Sequence, residues 1–162
     1  MKGTSSVEEE LLRTVDLLYQ ACTDPAAWEE AIAAAAATLG SEHGCALWLD
    51  GADLSTFWFR FYGFDPAAVE LYLTQYSHLD PWILAGRHPR YQEGCAVTGE
   101  MLVDPASLRR TRFAAEMLPQ LGVTQLLSGV AIRQGSCQSI LSIFRPEKAP
   151  AFGDDELRLY RL

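Results

Sequence analysis

FDPAAVELYLTQYSHLDPW, residues 64–82, joins an amphipathic helix to a cluster of polar and aromatic groups, and the rest of the chain is read outward from it. Asp65 supplies a carboxylate for the free amides of a helix start, and Pro66 supplies a ring that needs no donor there. Val69, Tyr72, Leu73 and Tyr76 recur at offsets of three, four and seven, which places them on one helical face. Tyr76 stands one turn before Asp80, and Pro81 and Trp82 open a second short helix. Two phenols, a carboxylate and an indole thereby converge on one small space, the candidate site of the chain.

Upstream, residues 5–21 place Val7, Leu11, Leu12, Val15, Leu18 and Tyr19 on one helical face, with acidic residues in the first turn where the helix dipole favours them. Asp24 and Pro25 start a second helix that buries Trp28, Ile32, Ala35 and Leu39 and closes at Gly40. The alanine run 33–37 reads as a packing seam. Residues 45–49 and 55–62 are predicted strands paired as a hairpin around Asp50-Gly51-Ala52-Asp53. In the second of them Phe57, Phe59 and Phe61 alternate with Trp58, Arg60 and Tyr62, so both faces of the sheet are covered.

Downstream, residues 86–94 read as loop and 95–99 as a short edge strand. Asp104-Pro105 starts a turn or short helix, continued over 108–118 with Arg109, Arg110 and Arg112 facing water while Phe113, Met117 and Leu118 pack. Strands over 123–132 and 138–144 form a second hairpin around Gln134-Gly135-Ser136. A final helix is capped at Gly153-Asp154-Asp155 and reaches Leu162 with its apolar pattern still running. This order predicts an α+β fold: a GAF- or PAS-like three-layer sandwich, an antiparallel sheet of about five strands with helices on both faces.

The chain of 162 residues, 49% hydrophobic, suits a single domain over 1–162. Lys and Arg number 13 against 21 Asp and Glu, and the resulting charge of −8 argues against a nucleic-acid surface within these residues. Cys22, Cys45, Cys95 and Cys137 form no Cys-x-x-Cys pair, so neither a zinc site nor a disulfide framework is signalled. No signal peptide or membrane span is read, which leads to the expectation of a cytoplasmic protein with no membrane partner.

Enzyme signatures are absent: there is no Gly-x-Ser-x-Gly elbow, no glycine-rich phosphate loop and no His pair at metal spacing, so no catalytic residue, metal or cofactor is assigned. His43 and Cys45 share a strand face, either as an imidazole and thiolate pair or as a packed thiol beside a histidine. His78 is read either as a charge switch or haem ligand, or as an ordinary residue on a wet helix end. The arginines near 110 are a phosphate site or a solvated face.

The two tyrosines, the Asp80-Pro81 pair, and the later Phe113, Ala115, Gly122 and paired apolar strands resemble the ligand-binding half of LuxR-type transcription regulators, from about Phe64 onward. The resemblance implies that Asp80 bonds a ligand amide, that Tyr72 and Tyr76 sit at aromatic positions of the site, and that Ser128 and Ser142 supply pocket hydroxyls. Trp82 joins them as a lining residue. It also implies a helix-turn-helix module following Leu162 through which DNA is contacted, and a homodimer is expected. This sequence departs from acyl-homoserine-lactone receptors where Ala68 replaces a tryptophan and Phe64 a tyrosine. It is one residue shorter before Asp80 and has Gln92 where another tryptophan is common. Two polar partners for a lactone are therefore missing, each worth about 1–3 kcal/mol if a carbonyl is buried without them.

Three readings follow. The first is a regulatory domain sensing a small organic ligand other than a standard acyl-homoserine lactone. The second is a dimerisation or interaction module with a filled core, and the third a redox sensor built on Cys45 or Cys137. Asp80 itself is equally read as one more helix cap, since Asp-Pro recurs at Asp24, Asp65 and Asp104.

Overall fold

The computed structural model describes residues 4–50, 56–87 and 91–161. Residues 51–53 and 55 of the first hairpin, 88–90 of the loop, Leu162, and the side chains of Val7 and Phe57 lie outside that description. Among the described residues a five-stranded antiparallel sheet runs in the order β2-β1-β5-β4-β3, with β1 (His43–Asp50), β2 (Thr56–Tyr62), β3 (Val97–Thr98), β4 (Gln125–Gln134) and β5 (Cys137–Arg145). The two hairpins join at the centre, where β1 pairs with β5 from His43 opposite Phe144 to Asp50 opposite Cys137. The short β3 closes one edge against Leu127 and Ser128 of β4.

One face of the sheet carries α1 (Thr4–Thr23), α2 (Trp28–Thr38) and α9 (Asp154–Tyr160). Helix α2 starts after a tight turn capped by Asp24, whose carboxylate accepts from the Ala26 amide, and it buries Ala31, Ile32, Ala35 and Ala36. Small residues let it come close: a Cβ on Gly44 would stand 2.7 Å from Ile32 Cγ2. Helix α1 departs from the sequence reading. It begins at Thr4, so Glu8, Glu9 and Glu10 fall beyond its first turn. Its buried stripe is Thr14, Leu17 and Ala21, while Leu12 and Tyr19 remain 62% and 74% exposed. The cause is the narrow seam with α2, centred on Ala21 and Ala31, which covers less than the whole apolar arc.

The other face carries α3 (Pro66–Leu71), α4 (Pro81–Leu84), α5 (Gly99–Leu102), α6 (Pro105–Arg109), α7 (Arg112–Glu116) and α8 (Leu118–Leu121). The helix expected over 108–118 is broken into three. Asp104 caps α6 through the Ser107 amide, Thr111 interrupts the run and caps α7 through the Ala114 amide, and Pro119 opens α8. Gly122 ends α8 with φ +69°, a conformation glycine adopts without strain. Phe113, Met117 and Leu118 are buried as read from the sequence, whereas α5 was not anticipated. Buried Arg145 ties the layers at one end, donating to the Leu39 and Pro150 carbonyls and to Glu156 of α9.

Candidate functional site

The 64–82 stretch folds as a helix whose pitch changes twice. Asp65 accepts from the Ala67 and Ala68 amides and starts α3. Over Tyr72–Tyr76 the turns widen to π geometry, the Ser77 amide reaching back to the Tyr72 carbonyl, and over Ser77–Leu79 they tighten to 3-10. The buried stripe is therefore Ala68, Tyr72 and Tyr76, with Val69 and Leu73 half-buried at its margin.

Asp80 then ends the tight turn in extended backbone and caps α4, its Oδ1 accepting from the Trp82 amide at 2.9 Å. The other oxygen, Oδ2, accepts from the Tyr72 phenol at 3.0 Å. With the residue only 6% exposed, burial raises the carboxyl from 3.8 to about 6, against the opposing pull of the Trp82 amide, the Tyr72 phenol and the Ile83 amide. Burial, and then the negative charge of Asp80, push the Tyr72 phenol well above its ordinary value. Among the described residues Asp80 has no cationic partner. One carboxylate thus caps a helix and faces the interior at the same time.

Below it the sheet presents a cross-strand row. Phe61, Cys45, Ser142 and Ser128 are register partners on neighbouring strands and so share a face. Ser128 and Ser142 lie 2.8 Å apart, oxygen to oxygen, and the Tyr91 phenol is 2.7 Å from Ser128 Oγ. Burial, then the Asp80 charge, push the Cys45 thiol up to about 12, which is the reverse of an activated thiolate. Tyr91 was read as part of a loop. Its only signal was a large aromatic in an otherwise Gly-, Pro- and Arg-rich segment.

Six aromatic rings close a belt around this space. Phe61 meets Phe64 at 6.0 Å between centroids, Phe64 meets Phe144 at 5.6 Å, and Phe144 meets Trp82 at 6.4 Å. Trp82 meets Phe113 at 6.2 Å, Phe113 meets Tyr72 at 6.3 Å, and Tyr72 returns to Phe61 at 6.0 Å. The contacts are edge-to-face or tilted, the arrangement that ring quadrupoles favour. The belt encloses a cavity of about 50 Å³, lined by all six rings together with Asp80, Cys45, Tyr91, Ser128 and Ser142.

Of the residues singled out from sequence, Tyr72, Asp80, Trp82, Ser128 and Ser142 line this cavity, and Tyr76 does not. The Tyr76 phenol donates to Glu116 Oε2 at 2.5 Å, and the Arg112 guanidinium both pairs with Glu116 and lies 5.6 Å from the Tyr76 ring. Arg112 is thereby held by an acid and a ring on the surface, while Arg109 and Arg110 are exposed. His78 is exposed and outside the cavity lining. His43 packs its ring 5.0 Å from Phe64, and burial holds it below 6.5. A larger groove of about 250 Å³ lies on the opposite face, between α1, β4 and α9.

No protein-family model matches the chain, and no curated protein matches its sequence. Solved structures do match in fold. One is CepR2 of Burkholderia cenocepacia, an N-acylhomoserine-lactone-dependent LuxR-family transcription factor, at TM-score 0.68 and 20% identity over 96% of this chain and 87% of that one. Another is the LBD domain of VqsR from Pseudomonas aeruginosa, at TM-score 0.62 and 19% identity over 91% and 84%. A third is SdiA in complex with octanoyl-rac-glycerol, at TM-score 0.57 and 17% identity over 99% of this chain and 63% of that one. The chain has the α+β architecture of these LuxR-family domains, as the resemblance in its sequence implies. Among the described residues no helix is long and apolar enough to cross a membrane.

Proposed function

We propose that this chain is the small-molecule-sensing domain of a LuxR-family transcription regulator, with its ligand held in the belted cavity beneath Asp80. The observation that carries this reading is a buried carboxylate that faces a cavity and has no cationic partner among the described residues. The helix cap accounts for one of its oxygens, but a neutral Asn would cap equally well in a core built only for packing, since a buried charge is costly unless paired. Asp80 would meet a donor on the ligand, Ser128, Ser142 and Tyr91 would order its polar end, and Tyr72 and Trp82 would wall it. Tyr76 would act from outside the lining, by fixing α7 against the 72–76 turn through Glu116.

A standard acyl-homoserine lactone fits this reading poorly, because Phe64 and Ala68 offer its carbonyls no donor and the cavity is small. Signalling would be a population shift in which the ligand favours one placement of α9. Ser128 of β4 points to the cavity, and its neighbour Gly129 is covered on the opposite face by Tyr160 of α9, so one strand touches both. With a charge of −8, DNA would be contacted in the cytoplasm by a further helix-turn-helix module of a homodimer.

The second reading is an interaction module with a filled core, and the smallness of the cavity is what favours it. Mass spectrometry of protein purified natively from its host separates the two. The sensing reading expects a co-purifying small molecule that is lost in Asp80→Ala and in no surface variant. Protein that is free of any such molecule, and that no host extract stabilises against heat, would establish the interaction module instead.

A further inference from the structure

The belt around Asp80 has a chemical preference of its own, and it rests on the reading of this cavity as the ligand site. Six ring systems contribute π faces and edges to a space with a single ionisable group that is charged near neutral pH among its described lining residues, the Asp80 carboxylate. The other titratable lining groups, Cys45, Tyr72 and Tyr91, are all pushed upward by burial and stay neutral there. Asp80 accepts one hydrogen bond from Tyr72 and one from the Trp82 amide. A carboxylate offers about four lone-pair sites, so capacity for a further donor remains. What the cavity lacks among its described residues is positive charge.

We infer that the aromatic belt and Asp80 form a recognition site for a small organic cation, an alkylammonium head group, and not for a neutral amide. An ammonium within about 6 Å of several ring centroids is attracted by their quadrupoles, and desolvation strengthens that attraction. Its N–H groups reach the carboxylate, and its charge offsets the one that burial leaves unpaired. Neutral amides satisfy the hydrogen bond and leave the charge as it was. Size sets a second limit. A cavity of about 150 Å³ holds benzene, so about 50 Å³ holds roughly two or three heavy atoms before the rings must give way. The acidic chain, at −8, raises the local concentration of cations around it.

The test is an amide-resolved NMR titration of the whole chain with ethylammonium chloride, and in parallel with ethanol and formamide, neutral probes of the same three heavy atoms, at millimolar concentrations. Ethylammonium is expected to shift the amides of Trp82, Ser128 and Ser142 saturably, at least tenfold more tightly than either neutral probe. Asp80→Asn keeps an oxygen for the Trp82 amide and is expected to remove that selectivity. Should that variant fail to fold, the wild type read at pH 7.5 and pH 5 replaces it. The probe stays charged throughout while Asp80 takes up a proton near 6, so binding weakens several-fold at the lower pH. His43, behind Phe64, gains charge in the same direction, and His43→Gln is the control. If ethanol or formamide shifts the same amides as tightly, the cavity is a ligand site and the cation preference is wrong. If no probe shifts them at any concentration, the site reading fails together with the preference.

Discussion

The Tyr72 phenol donates to Asp80 Oδ2 at 3.0 Å, across eight residues of chain that change from π to 3-10 pitch on the way. A uniform α-helix would separate those positions by about 12 Å along its axis. The end of the helical run at Asp80 and the turn into α4 bring the carboxylate back beneath the phenol. Tyr72→Phe removes the donor and leaves the buried charge with its amide contacts alone. A loss of about 2 kcal/mol is expected in chemical denaturation at pH 7. The loss should shrink at pH 4, where Asp80 is largely protonated.

Asp80 itself makes stability depend on pH in an unusual direction for a carboxylate. Its folded value of about 6 stands above the ordinary 3.8, so between these values the folded state binds more protons than the unfolded one. Its contribution is fully present below pH 4 and is lost as pH rises through 6. The two values differ by about two units, equivalent to about 3 kcal/mol between pH 4 and pH 7. His43, held below its ordinary value, titrates with the opposite sign in part of that range. The difference between wild type and Asp80→Asn, followed by denaturant midpoints, isolates the carboxyl. The variant should gain on the wild type as pH rises.

Gly129 is a contact between layers. A Cβ there would lie 2.2 Å from the Cys95 carbonyl oxygen and 2.6 Å from Tyr160 Cε1. Gly129→Ala therefore pushes α9 and the 95 segment off the sheet, with an expected cost of about 2–3 kcal/mol. The Tyr160 phenol donates to the Leu141 carbonyl on the adjacent strand, and that bond should break. Thermal denaturation together with faster amide exchange at Leu141-paired positions would check it. Unchanged stability would show that α9 rides loosely on the sheet.

Acyl-homoserine lactones are expected to bind at best weakly. Phe64 and Phe144 form part of the belt where a polar group would have to meet the lactone, and Ala68 brings only a methyl group. Calorimetry across a series of acyl lengths should give no submicromolar affinity. A tight response to any member would show that the belt opens further than its present about 50 Å³.

What the sequence determined by itself is local. Asp24, Asp65, Asp80 and Asp104 each cap the helix or turn that their Asp-Pro pair announced, because a carboxylate and a ring satisfy a helix start without help from the rest of the chain. The hairpins and the alternation of β2 follow likewise from side chains pointing to opposite faces, and Trp58 against Trp28 with Phe61 against Tyr72 shows the two sides kept apart. Tertiary structure decided the rest. The break in the helix over 108–118 is an exception, since its signals are local ones that the helical pattern masked: the Thr111 cap and Pro119. Leu12 and Tyr19 stayed outside because a seam of alanines is narrow. Tyr76 turned to Glu116 on another helix, and Tyr91 entered from a loop, through contacts between residues 40 and 37 positions apart that no local pattern records. The belt is of the same kind: its six rings come from β2, β5, the 64–82 stretch and α7, and only packing could bring them into one circle.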